Sequence, residues 1–287
     1  MTYREFKDYF FQHLHSLYDE NELKVIYREL LKHFCGIEPI HQLLENETVI
    51  QPQILPLLLN ATDRLLLSEP YQYICSSAEF CDLKLLVNKS VLIPRPETEE
   101  LVRHVISVAQ NTRKRPSSIL DLCTGSGCIA LALKKHFPEA VVRATDSSLA
   151  ALKVAEYNAQ VNELSIEFMQ HDLLLQELPF KFAFDCIVSN PPYVTMEDKA
   201  KMDKRVLDYE PMGALFAPER DPLAFYRVLK DIVFRFLSPG GFFIFEINEA
   251  LGEECLSLFR DFDDVFEYTE LLIDSYNKYR FICGLKL

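Results

Sequence analysis

Asn190-Pro191-Pro192-Tyr193 closes the apolar run Phe184-Asp185-Cys186-Ile187-Val188-Ser189. Two consecutive prolines donate no backbone hydrogen bond and bar helix, so the chain leaves this run in a stiff turn. The side-chain oxygen of Asn190 and the free carbonyls then form a group of acceptors that suits a planar NH2 with two hydrogens. The ring of Tyr193 is placed to stand beside it as a wall. The same tetrapeptide also reads as a turn that ends a strand and nothing more.

About 65 residues upstream, Ile119-Leu120-Asp121-Leu122 runs into Cys123-Thr124-Gly125-Ser126-Gly127 and then Cys128-Ile129-Ala130-Leu131-Ala132-Leu133. This is a short apolar strand, a glycine-containing turn and an apolar helix, in which glycines let a ligand approach the backbone. Cys123 stands where a dinucleotide fingerprint places its first glycine. A second strand, Ala140–Thr145, ends at Asp146, 21 residues past Gly125, where a nucleotide fold places the carboxylate that binds ribose hydroxyls. Asp146 also reads as a helix N-cap, with Ser147 and Ser148 beside it.

The elements that must position these residues are legible as pattern. Leu23, Ile26, Tyr27, Leu30 and Phe34 share one helical stripe, with Asp19 and Glu22 spaced as a capping box and Gly36 as the stop. A second stripe uses Leu55, Leu58, Leu59, Thr62 and Leu66. Residues 75–93 switch to period two, which predicts a short hairpin. From Glu97 helix and strand alternate, with further strands expected at 166–168, 184–189, 242–247, 266–273 and 280–285. That alternation predicts an α/β fold with a doubly wound parallel sheet. The organisation expected is a helical domain over 1–74, a β-hairpin linker over 75–95 and a catalytic domain over 96–287.

Composition narrows the function classes. The 287 residues are 49% hydrophobic, enough for a substantial core. No apolar run approaches the ~18 residues that span a bilayer, and the acidic start is unlike a signal peptide, so a cytoplasmic protein is expected. The eight cysteines show no Cys-x-x-Cys spacing and read as small buried thiols, with no metal site expected. A net charge of −13 disfavours direct use of DNA, because duplex binding relies on Lys and Arg replacing counterions.

The Asp-Leu-Cys-Thr-Gly-Ser-Gly loop, the Asn-Pro-Pro-Tyr corner and the run Val91-Leu92-Ile93-Pro94-Arg95-Pro96-Glu97-Thr98-Glu99 together resemble the peptide chain release factor glutamine methyltransferases. Asn-Pro-Pro-Tyr marks a wider set of methyltransferases acting on amines or amides, and the Ile-Pro-Arg-Pro-Glu-Thr-Glu run narrows the likeness. The resemblance implies a seven-stranded methyltransferase sheet whose last strand is antiparallel, and S-adenosylmethionine as cofactor. It implies that Cys123, Thr124, Gly125, Ser126 and Gly127 lie along the methionine and ribose, that Asp146 binds the ribose, that Asp172 and Leu173 meet the adenine, and that Asn190 adjoins both cofactor and substrate. Asn190, Pro191, Pro192 and Tyr193 are the implied catalytic and substrate-binding residues, and a class I release factor, methylated on the glutamine of its Gly-Gly-Gln motif by a monomeric enzyme, is the implied partner. Cys123, Cys128 and Ser76 depart from residues commonly glycine, alanine and glycine in that family. Cys123 fits only if its backbone needs no positive φ. Arg95 reads either as a substrate or cofactor contact or as an ion-pair partner, and Tyr209–Leu215 matches a family run of unassigned role. Two rivals remain on the residues alone: an exocyclic-amine methyltransferase of nucleic acid, and a non-catalytic adapter for a translation factor.

Overall fold

The computed structural model describes residues 1–41, 46–260 and 264–287. The chain forms two units, one of Met1–Ser77 with Asp203–Tyr209 and one of Ala78–Met202 with Glu210–Leu287.

The first unit is helical. Thr2 and Glu5 form a capping box that opens the helix Tyr3–Leu14, and Asp19 accepts from the amides of Asn21 and Glu22 to open Glu20–Cys35, which Gly36 stops at φ 67°. The Glu22 carboxylate is turned to Arg205, so the expected capping box is present only on its Asp19 side. In the helix Leu55–Leu66 the buried positions are Leu58, Ala61, Thr62 and Leu65. Leu66, expected on that stripe, is exposed, because two turns at 3.6 residues each carry Leu58 round to Leu65. Residues 203–209, which the sequence reading includes in 96–287, pack with these helices. Arg205 bridges Glu22 and Asp203 and lies 5.2 Å over the ring of Tyr18, and Tyr209 donates its hydroxyl to the Leu67 carbonyl at 2.8 Å.

The second unit begins with an antiparallel hairpin, β1 (Ala78–Phe80) and β2 (Leu83–Leu85). Its sheet contains β3 (Ser118–Leu122), β4 (Val141–Asp146), β5 (Glu167–Gln170), β6 (Phe184–Ser189), β7 (Leu237–Glu246), β8 (Phe266–Ile273) and β9 (Tyr279–Lys286). Among the described residues these seven strands lie in the order β5-β4-β3-β6-β7-β9-β8. β9 runs antiparallel to both β7 and β8, between which it lies. Helices cover both faces, so strand residues on either side are apolar and successive residues feed opposite clusters. In β7, Phe242 and Ile244 join one cluster while Phe243 and Phe245 join the other. No helix among the described residues is long and apolar enough to cross a membrane.

Register is what assembles the site. Thr145, Leu122, Ser189 and Phe245 lie in one row across β4, β3, β6 and β7. The next residue of each strand or its exit is Asp146, Cys123, Asn190 or Glu246. Ligands of open α/β sheets bind beyond the carboxyl ends of the strands, which is where this row stops.

Candidate active site

A cavity of about 340 Å³ opens beyond that row. Its walls include Cys123, Thr124, Gly125 and Ser126 from the loop after β3, Asp146 after β4, Asp172 and Leu173 after β5, and Asn190 and Pro192 after β6. Gly127, Pro191 and Tyr193 do not line it. Gly127 holds the loop against the helix Leu149–Val161, since a Cβ there would meet the Ala155 Cβ at 3.1 Å. Tyr193 turns its hydroxyl to Glu246 Oε1 at 2.8 Å and packs against the apolar cluster below, so its ring is not the expected wall.

The loop is anchored by carboxylates. Asp146 accepts from Gly125 N through Oδ2 and from Ser148 N through Oδ1, both at 2.9 Å. The cap of the following helix is Ser148, whose hydroxyl accepts from Ala151 N, and so Asp146 is not that helix's N-cap. Burial raises the Asp146 pKa against the pull of these amides. Asp121, beneath the loop, is fully buried and takes the Thr124 hydroxyl at 2.5 Å. Burial pushes its carboxyl up to about 7. Asp172 accepts from Leu174 N and Leu175 N through Oδ1, while Leu173, part of the cavity wall, is largely buried.

Cys123 has φ +61°, the left-handed region. The condition under which a side chain would be free of cost there is therefore not met, and the position carries roughly 1–2 kcal/mol of backbone strain that glycine would avoid. Ser76, the other replacement of a common glycine, has φ +48°. Burial pushes the Cys123 thiol far above its ordinary range, which disfavours the thiolate that a nucleophile would need.

At the corner, Asn190 Nδ2 donates to Thr98 Oγ1 at 3.1 Å, and Thr98 donates to Glu246 Oε2 at 2.8 Å. Thr98 and Glu246 therefore belong to the site, although the sequence alone marks neither as functional. The available signal for Glu246 was a single charge closing the apolar run Phe242-Phe243-Ile244-Phe245, since an isolated charge is too costly to bury without partners. Arg95 lines the cavity and pairs with buried Glu210 at 2.5 Å, and Glu210 also accepts from Ile93 N at 3.1 Å. This gives Glu210 of the Tyr209–Leu215 run a role: it holds the Ile-Pro-Arg segment in place.

The donor set fits S-adenosylmethionine. A Cβ at Gly125 would meet nothing within 4 Å, so the loop leaves open space for a ligand. Ser126, which lines the cavity, has its Oγ buried without a partner among the described residues. Asp146 accepts two backbone bonds of the four a carboxylate offers, leaving capacity for ribose hydroxyls.

A seven-stranded sheet of this order, with a glycine loop after its first parallel strand and a carboxylate after the second, defines an S-adenosylmethionine-dependent methyltransferase. Residues 101–208 match the methyltransferase small domain family. A release factor glutamine methyltransferase of Flavobacterium psychrophilum is 39% identical over 98% of both chains, and one of Bacteroides thetaiotaomicron is 37% identical over 87% of this chain and 88% of its own. The crystal structure of a methyltransferase from Pyrococcus furiosus superposes with a TM-score of 0.51 at 17% identity, covering 79% of this chain and 98% of that one. The chain belongs to the release factor glutamine methyltransferase family.

Proposed function

We propose that this chain transfers a methyl group from S-adenosylmethionine to the side-chain amide nitrogen of the glutamine in the Gly-Gly-Gln motif of class I release factors. The carrying observation is that the loop of residues 123–126, the Asp146 carboxylate and Asn190 line one cavity. Membership of the family supplies the substrate class.

The chemistry required explains the acceptors. A primary amide nitrogen is a poor nucleophile because its lone pair is delocalised into the carbonyl. The cofactor supplies an electrophilic methyl group on a sulfonium. In this reading Asn190 Oδ1 and a carbonyl of Pro191 or Pro192 accept the two amide hydrogens, favour a more pyramidal nitrogen and aim its lone pair. This is positioning and transition-state electrostatics, without a covalent intermediate. The methylated nitrogen is strongly acidic and loses its proton to water, so no general base is needed. Thr124, Gly125, Ser126 and Asp146 are assigned to the methionine and ribose, and Asp172 and Leu173 to the adenine. Cys123 and Gly127 shape the loop, and Tyr193 acts from behind the corner.

Residues 1–74 are assigned to docking the body of the release factor, since none of the cavity residues comes from the first unit. Binding energy gathered far from the reacting amide serves to orient it. The enzyme is read as a cytoplasmic monomer that does not act on DNA.

The test is transfer of labelled methyl from the cofactor to purified release factors, to a short Gly-Gly-Gln peptide, to DNA and to ribosomal RNA. Label on the release factor glutamine, with the peptide a much poorer substrate, is expected. Label on nucleic acid alone would assign the corner to exocyclic amines, and no transfer to anything would favour an adapter.

A further inference from the structure

We propose that Thr98, anchored by Glu246, is a positioning residue that fixes which end of the Asn190 amide faces the reacting nitrogen. The proposal rests on the reading of Asn190 as an acceptor for the substrate amide.

An asparagine amide carries an acceptor and a donor of nearly equal size, so shape alone does not choose between them. Here the hydrogens choose. Glu246 is 1% exposed, and its two oxygens, as a carboxylate, only accept. One takes the Tyr193 hydroxyl and the other the Thr98 hydroxyl, each at 2.8 Å. A threonine hydroxyl has one hydrogen, and that of Thr98 is committed to Glu246. Toward Asn190 it therefore presents only a lone pair. Asn190 must offer it an N–H, as the Nδ2 contact at 3.1 Å shows, and Oδ1 is left for the cavity. In the flipped amide, Oδ1 would face the Thr98 lone pair while NH2 faced the NH2 of the substrate. Both contacts would be mismatched.

The three groups come from separate parts of one unit. Thr98 lies in the first turn of the helix Pro96–Asn111, Glu246 ends β7, and Asn190 follows β6. Burial raises the Glu246 pKa, while the Tyr193 and Thr98 hydroxyls that it accepts and the Arg280 guanidinium favour its charged form and the Glu97 carboxylate opposes it. No other function is needed to explain a fully buried carboxylate here: it receives two hydroxyls and thereby orients the acceptor.

Thr98→Val keeps the shape and removes the hydroxyl. It should lower kcat on release factor roughly tenfold, the equivalent of one hydrogen bond, with KM for release factor and cofactor affinity within about twofold. Thr98→Ser keeps the hydroxyl and should restore kcat; Thr98→Ala replaces the valine variant should that variant fail to fold. In an Asn190→Ala background, the loss from Thr98→Val should vanish, because there is no amide left to orient. Normal kcat in Thr98→Val, or a loss that simply adds to that of Asn190→Ala, would overturn the proposal. Normal turnover in Asn190→Ala itself would instead sink the acceptor reading beneath it.

Discussion

The loop at residues 123–127 and the corner at 190–193 follow neighbouring strands, β3 and β6, whose last residues pair as Leu122 and Ser189. Their construction differs. In the loop, Cys123 is held in a left-handed conformation and Ser126 Oγ is buried with no partner among the described residues. At the corner the polar side chains form a closed series, from Asn190 to Thr98 to Glu246 to Tyr193. Buried groups left without partners cost stability, and a ligand that meets them recovers part of that cost. A region that must bind and release a cofactor is served by open valences. One that must present a single atom at a fixed angle is served by leaving that atom alone open.

That contrast is broken or sharpened by four measurements. The largest effect is expected at the corner: Asn190→Ala should reduce turnover on the order of 100-fold or more, as loss of one transition-state hydrogen bond does, while cofactor affinity changes little. Steady-state kinetics beside calorimetry checks this, and near-normal turnover would reduce the corner to a turn. Asp146→Ala should do the converse, weakening S-adenosylmethionine by roughly 1.5–3 kcal/mol, with turnover recovering at saturating cofactor. Because Asp146 also holds the amides of Gly125 and Ser148, a lower melting temperature should accompany the loss. Unchanged affinity would make that carboxylate a purely structural brace.

The third measurement concerns pH. Asp121 is raised by burial from 3.8 to about 7. Between those values the folded chain holds a proton that the unfolded chain has released, so stability from this group is present at low pH and falls as pH rises through the window. The slope is at most about 1.4 kcal/mol per pH unit for one proton. Urea midpoints from pH 4 to 7.5 should decline more steeply for the natural chain than for Asp121→Asn. Parallel profiles would mean that the buried carboxyl titrates normally.

Smallest is the strain at Cys123. Cys123→Gly and Cys123→Ala both lose the thiol, but only glycine relaxes the positive φ. Glycine should be the more stable of the pair by about 1 kcal/mol, reversing the usual order, since alanine resists the left-handed region. If alanine is equal or better, the loop is less strained than its φ implies.

Much of this was legible in the residues. Phe184–Ser189 and Phe266–Ile273 form strands with the expected bounds, because short segments rich in aromatic and branched residues, between turn residues, favour strand over helix. The loop and Asn190 were legible because sequence neighbours carry their signal. Thr98 and Glu246 were not, being 148 residues apart and joined only by the packing of the helix Pro96–Asn111 against β7. Leu65 displaced Leu66 from the buried stripe for a different reason: in a leucine-rich helix the hydrophobic pattern fixes the face only to within a residue. The left-handed backbone at Cys123 shows the same limit, since residue type suggests a preferred φ and the loop imposes the actual one.

The first unit is completed by Asp203–Tyr209, far along the chain from its other residues. During synthesis the N-terminal helices emerge early and hold a core of their own, yet Glu22 and the Leu67 carbonyl wait for Arg205 and Tyr209. At the ~5–20 residues per second of a working ribosome, that wait is on the order of ten seconds or more. For this interval the unit exists without its last segment, and a chain released before residue 209 is made lacks that segment altogether. Pulse proteolysis of stalled nascent chains should therefore show a step in protection of the N-terminal helices only once residue 209 has cleared the exit tunnel.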